Sequence, residues 1–317
     1  MKEIISKLKN EGALISFILL FLFASIMYPK FLSNYNIFNL VREVSMLGLL
    51  SIGMTMVIIS GGIDLSVGAI FAVASVTVAT LSQSMGSVSS ILITLLICTA
   101  IGFIMGVLIA KFNIEPFIVT LAGMMFGRGL ALIVSNENAV KINKEVYTFF
   151  QYIGRGVVFG IPVSFIIFLI ISIIFAITLH FTQFGRTIYA IGGNESGAKV
   201  MGLKVLKSKI WIYTINSFLA GMAGIIMAAR LGAGQPSSGN TYELKAILSV
   251  VIGGTLITGG VGKISGTVVG IFILILIDNI FNMEGLGTFY RNIILGVILI
   301  LIVILQKGVA FKKNENK

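Results

Sequence analysis

"MTMVIISGGIDLSVGAIFAVASV", residues 54–76, decides how this chain is read. A long apolar run reaches Gly61 and Gly62, meets Asp64, and turns apolar again within a few residues. Glycine tolerates the left-handed geometry of a helix C-terminus, so the pair ends a helix that begins near Val44. Ser66 suits the N-cap of the next helix, with Gly68 just inside it. The pattern is helix, sharp break, helix. Backbone of this kind survives at membrane depth only where it is buried in protein or lines a cavity. The residues alone leave two readings open: a buried break within the membrane, or a tight cytoplasmic turn between antiparallel spans. In the first reading the Asp64 carboxyl is met by helix N-terminal amides near residues 66–68.

The rest of the chain sets the surroundings of this stretch. The 317 residues are 57% hydrophobic and 11% charged, with mean hydropathy +1.04. Soluble domains carry about 25% charged residues, so the chain is an all-α polytopic membrane protein. Ten segments are candidate spans: 13–29, 44–60, 66–82, 88–110, 117–134, 161–180, 210–229, 246–258, 264–282 and 292–306. Two of them, 246–258 and 292–306, are short, which leaves eight as the alternative count. Lys2, Lys7 and Lys9 precede the first run, whose end "FASIMYPKF" lacks a clean A-x-A cleavage pattern. It reads as an uncleaved first membrane helix rather than a signal peptide.

Charge tests the ten-span arrangement. With the N-terminus cytoplasmic, fourteen of the 23 Lys and Arg fall in the segments on that side and eight on the other, with Arg128 left inside a span. Positive charge favours the cytoplasm, so both termini are expected there. The same placement accounts for the net charge of +11 without nucleic acid. One cysteine, Cys98, excludes a disulfide within the chain. One histidine, His180, leaves little for His-centred catalysis, and no Cys/His cluster offers a metal site.

Small residues spaced by four place themselves on one helix face and let backbones approach. Gly102 and Gly106, then Gly262, Gly266 and Gly270, then Ala220, Gly224 and Ala228 follow this spacing. They are read first as packing positions. "GGVGKIS" (259–265) resembles a phosphate loop but fails as one: Ile264 follows Lys263, and Ile257 stands where the first glycine belongs. No nucleotide site is expected in this chain. Polar residues inside spans are functional candidates by default; here they are Arg128, Asn216, Asp278 and Asn279. Arg128 lies mid-span and either lines a water-filled path or makes a structural pair. Asp278 lies near a span end, within reach of the headgroups.

The segment around the break closely resembles the hallmark of the ribose/xylose-type permeases of ABC sugar importers. "TLAGMMFGRGLALIVS" (120–135), "FGRTIYAIGGNESGAKVMGLKV" (184–205) and "LSVVIGGTLITGGVGKISGTVVGIFIL" (248–274) resemble that family too, in the same order. The likeness runs from about residue 36 to 306. It implies one permease domain over 1–317 in the bacterial inner membrane, working by alternating access on a monosaccharide. It also implies a second permease copy, cytoplasmic ATPase subunits that hold ATP and Mg, and an extracytoplasmic sugar-binding protein. Related permeases for branched-chain amino acids or nucleosides share the plan but usually vary GGIDLSVG.

The resemblance also gives residues 181–209 a role. From composition alone this is a basic loop with Arg186, Lys199, Lys204, Lys207 and Lys209 against Glu195. Such permeases dock a short cytoplasmic helix on the ATPase, and 181–209 becomes the coupling loop. Gly192 and Gly193 are expected to break the chain, Asn194 to cap, Glu195 to suit the helix start and Gly202 to end it. Gly197 lies within that helix, and Ala198, Val200 and Met201 are its apolar contacts. Two other readings stay open: the same importer carrying a nucleoside, amino acid or furanone-type signal, and an ion-coupled secondary transporter. For the latter, Asp64 and Asp278 are the few membrane carboxyls at hand.

Overall fold

The computed structural model describes residues 2–287, 289–298, 300, 301 and 304, with side chains from residue 12 onward. The last candidate span, 292–306, is described only in part, and the tail 307–317 lies outside the described residues. The helices are α1 (Lys2–Met27), α2 (Asn34–Ile59), α3 (Val67–Leu81), α4 (Ser87–Lys111), α5 (Pro116–Ser135) and α6 (Lys144–Arg155). They continue with α7 (Val163–Phe181), α8 (Gln183–Val200), α9 (Val205–Leu231), α10 (Tyr242–Ile252) and α11 (Ile264–Met283). A short apolar helix, α12, covers Phe289–Ile298. Six of these, α2, α4, α5, α7, α9 and α11, are long and apolar enough to cross a membrane.

Three helices, α2, α3 and α9, form the centre. α9 lies against α2, α3 and α4, and α5 covers α3 from the other side. α3 is apolar all round, and 13 of its 15 residues are buried, as expected of a helix surrounded by protein. α4, α5 and α7 present apolar side chains outward, among them Leu96, Phe103, Phe126, Ile133 and Ile173. Lipid is the solvent that suits such faces. The spaced small residues sit at the closest crossings. Gly102 and Gly106 meet Ser217 and Ile210 of α9, Gly224 meets the backbone of Phe71 in α3, and Gly266 and Gly270 meet Gly253 and Ser249.

Several boundaries differ from the sequence expectation. α2 starts at Asn34, ten residues before Val44, because Ser33 caps it by accepting from Asn36 N. The segment 246–258 is not one helix. α10 ends at Ile252, and Gly254, at φ +89, turns the chain into a non-helical stretch over 253–263. Leu256 and Ile257 just beyond the turn are what make the segment look like one continuous span. On the opposite side of the molecule, two-residue strands Val140–Lys141 and Ala233–Gly234 pair antiparallel, and Val157–Val158 pairs with Ile161–Pro162. The amphipathic α6 lies between them in sequence. None of these small elements was expected.

Candidate functional site

α2 closes with a reciprocal pair of backbone bonds. Gly61 N donates to Ile58 O at 2.9 Å and Gly62 N to Val57 O at 3.0 Å. This double bond requires a left-handed residue between them, and Gly61 supplies it at φ +84. Gly62 does not have a positive φ; it is glycine for space. A Cβ there would collide with the Tyr213 hydroxyl and lie 3.5 Å from Tyr213 Cζ.

Beyond the cap, Asp64 is fully buried. Its Oδ1 accepts from Ser66 N at 2.8 Å and from Ser66 Oγ at 2.6 Å. Its Oδ2 accepts from Asn216 Nδ2 of α9 at 2.8 Å. The Asp64 side chain is thus enclosed by protein rather than solvated. The structure also changes the detail: Ser66 occupies the N-cap position, but its hydroxyl serves Asp64 rather than capping α3. Among the described residues Asn216 Oδ1 has no partner, and it lies where a side chain on Gly53 would stand.

The other polar span residues do not join this site. Arg128 Nη1 and Nη2 donate to Ser238 O and Gly239 O, both at 2.8 Å. A Cβ on Gly68 would meet Gly239 O and Glu243 and lie 3.3 Å from Arg128 Nη2, so Gly68 and Arg128 share one crossing with Glu243, which the sequence reading missed. Arg128 also lines an open cleft of about 400 Å³ of mixed character, with Glu137, Gln235, Ser237 and Asn240 beside Leu132 and Pro236. Asp278 Oδ2 pairs with Lys245 Nζ at 2.5 Å, so it binds α10 rather than reaching for headgroups. Asn279 exchanges amide bonds with Asn36, at 2.8 and 3.2 Å, joining α11 to α2. Among the described residues, no three of His, Cys, Asp and Glu gather closely enough to hold a metal ion.

The segment 181–209 is mostly helix. α8 is continuous to Gly193 and interrupted at Asn194, whose φ/ψ of −162/102 is not helical. The break therefore falls at Asn194, not at Gly192–Gly193. Asn194 Oδ1 accepts from Gly197 N at 2.9 Å, capping the short helix 195–200. Gly202, at φ +73, ends it with bonds to Lys199 O and, through Leu203 N, to Ala198 O. The Glu195 carboxyl bridges Lys199 and Lys209, each at 2.9 Å. Partial burial pushes its pKa up, but the bonds from Lys209 and Lys199 outweigh this and hold it below the ordinary carboxylate value. Ala198 is fully buried against Ile191 and Val205, so it is not a contact for a partner. Val200 and Met201 are exposed.

Three diglycines converge beneath the break. Gly260 N donates to Ile59 O at 2.8 Å, the last carbonyl of α2. A Cβ on Gly192 would collide with that same carbonyl, and one on Gly259 would lie 3.0 Å from the Gly61 backbone. Tyr189 Oη donates to Gly262 O at 2.7 Å. The loop that resembles a phosphate loop thus spends its Gly260 amide on the protein's own backbone.

The described residues form a bundle of apolar helices around a buried polar break, with a short capped helix at the end of α8. The family described as "Branched-chain amino acid transport system / permease component" matches residues 36–303, and the chain belongs to it. It is 41% identical to the ribose import permease protein RbsC of Bacillus subtilis, covering 95% of this chain and 93% of that protein. It is 36% identical to the Escherichia coli K12 ribose import permease protein RbsC, covering 94% of each. Identity to the L-arabinose ABC transporter permease protein AraH of Azospirillum brasilense is 35%, over 98% of this chain and 90% of that one. No solved structure gives a significant match.

Proposed function

We propose that this chain is the membrane permease subunit of an ATP-driven importer, resident in the bacterial inner membrane, and that it carries a monosaccharide of the ribose kind. The observation that carries this reading is the near end-to-end likeness to the ribose import permeases. ATP hydrolysis belongs to a separate cytoplasmic subunit, and the sugar arrives on an extracytoplasmic binding protein. A second permease copy completes the path.

The chain crosses the membrane ten times, with both termini inside. α3 and α10 have 15 and 11 residues, or about 22 and 16 Å at 1.5 Å per residue. Both are shorter than the ~30 Å hydrocarbon core. Each completes its crossing with the non-helical stretch beside it, 60–66 or 253–263, which is tolerable because protein surrounds it. The open cleft beside Arg128 serves as the outer mouth, where Gln235, Ser237 and Asn240 suit hydroxyl groups. Helix 194–202 meets the ATPase with Val200 and Met201.

The test is reconstitution with the cognate ATPase and binding protein, followed by uptake of labelled ribose, arabinose, fructose and a branched-chain amino acid. ATP-dependent uptake of a sugar, unaffected by ionophores, is the expected result. Uptake driven by an ion gradient without ATPase would refute the proposal, and amino-acid uptake would correct the substrate class.

A further inference from the structure

α9 carries three polar residues at i, i+4 and i+7: Lys209, Tyr213 and Asn216. This spacing puts them on one helix face, along two turns. Each touches a different part of the site. Lys209 Nζ holds Glu195 of the short helix at 2.9 Å. Tyr213, 1% exposed, fills the space above Gly62. Asn216 Nδ2 holds Asp64 at 2.8 Å. The stripe therefore contacts, in order, the capped helix, the diglycine end of α2 and the break.

A cavity of about 250 Å³ opens beside this face, lined by Gly61, Gly62, Glu115, Glu195, Lys209 and Tyr213. It leaves room on this side for the short helix to shift relative to the break. The Lys209–Glu195 pair bridges that space, and Lys209 keeps only 15% of its side chain exposed. An exposed surface pair would contribute little; this one fixes the register between two elements.

We infer that Lys209 is a positioning residue for coupling: through α9, acting as a rigid strut, it transmits displacement of helix 195–200 to the Asp64 break. The inference rests on the reading of 194–202 as the segment that meets the ATPase. It adds a route from that segment to the membrane-buried polar site, with Lys209 at its cytoplasmic end and Asn216 at its inner end.

The experiment uses the complete transporter, permease with ATPase and binding protein, in proteoliposomes. Four permease variants are compared: Lys209→Met, Lys209→Arg, the exchange Glu195→Lys with Lys209→Glu, and Met201→Asp. Sugar taken up per ATP hydrolysed and affinity for the ATPase subunit are both measured. Lys209→Met should lower sugar per ATP about 5- to 10-fold, within the usual range of coupling between sites, with ATPase affinity unchanged. Lys209→Arg keeps the pair and should stay within about twofold of wild type, and the charge exchange should recover part of the loss, since Glu195→Lys also sets two lysines together at 195 and 199. Met201→Asp should instead weaken ATPase binding. If Met201→Asp binds normally, the docking reading has failed. If Met201→Asp weakens binding while Lys209→Met keeps wild-type sugar per ATP, the strut inference is overturned. A loss in Lys209→Met that Lys209→Arg shares in full overturns it too, because keeping the charged pair would then not preserve coupling.

Discussion

Replacing Asp64 by leucine removes the acceptor of three hydrogen bonds in a site with no exposure to water. The Ser66 hydroxyl can rotate to another acceptor. Ser66 N and Asn216 Nδ2 cannot move away, so two buried donors lose their partner. Each costs about 1–3 kcal/mol, or about 2–6 kcal/mol together. The lower end already shifts the intact break by about 30-fold, at about 1.4 kcal/mol per tenfold. Asp64→Asn is the matched control. It keeps an acceptor for Ser66 and offers a donor to Asn216, whose Oδ1 is now unpartnered and can accept after an amide flip. Sugar uptake by reconstituted transporter, normalised to permease in the membrane, should fall more than tenfold for Asp64→Leu. Asp64→Asn should lose no more than about threefold. Near-normal uptake by Asp64→Leu would show that the break does not depend on these bonds.

Gly62→Ala should lose activity because its methyl collides with the Tyr213 hydroxyl, and Tyr213→Phe in the same chain should restore much of it, since the remaining ring carbon lies at an ordinary 3.5 Å; uptake of the single and double variants checks this, and equal failure of both would refute the steric account. A cysteine at Phe159, fully exposed, should react with an impermeant maleimide in intact cells, and one at Lys207 only after permeabilisation; buried Cys98 gives little background, and labelling of Lys207→Cys in intact cells would overturn the topology. Gly197→Pro deletes the amide that donates to Asn194 Oδ1, a capping loss of about 1 kcal/mol, and should lower sugar per ATP with the permease still in the membrane; unchanged stoichiometry would remove 195–200 from the coupling path.

Much of this architecture is legible where local chemistry is strong. The apolar runs give the long helices, and Gly-Gly-x-Asp-x-Ser gives the break, because a left-handed cap and a buried carboxyl each demand particular residues. Other features escape because their cause lies elsewhere in the chain. Gly62 and Gly192 look like breaking residues, yet their reason is a tyrosine hydroxyl and the Ile59 carbonyl from distant helices. Ala198 sits in a helix that reads as partner-facing and is buried by Ile191 and Val205. The end of α10 is obscured because Leu256 and Ile257 resume an apolar pattern just after the Gly253–Gly254 turn. Lys209 and Tyr213 did leave a signal: with Asn216 they form a polar stripe of helical period, visible once the start of α9 is placed at Val205. The β1–β4 pairing left none, since two short strands nearly a hundred residues apart carry no periodicity.

The bond between Asp64 and Asn216 spans 152 residues of chain, and this sets a timetable for biogenesis. At about 5–20 residues per second, the ribosome needs about 8–30 s after making the break to deliver its last partner. Ser66 is made almost at once, so two of the three bonds form locally. During the wait, α3 has no α9 to lie against, and one carboxyl oxygen faces a site not yet built. The nascent chain must shelter this hairpin from lipid until α9 arrives, in the insertion machinery or against α2. Late-inserted residues thus finish an early-inserted element, and a chain arrested before Asn216 should be the form most readily removed by membrane proteases.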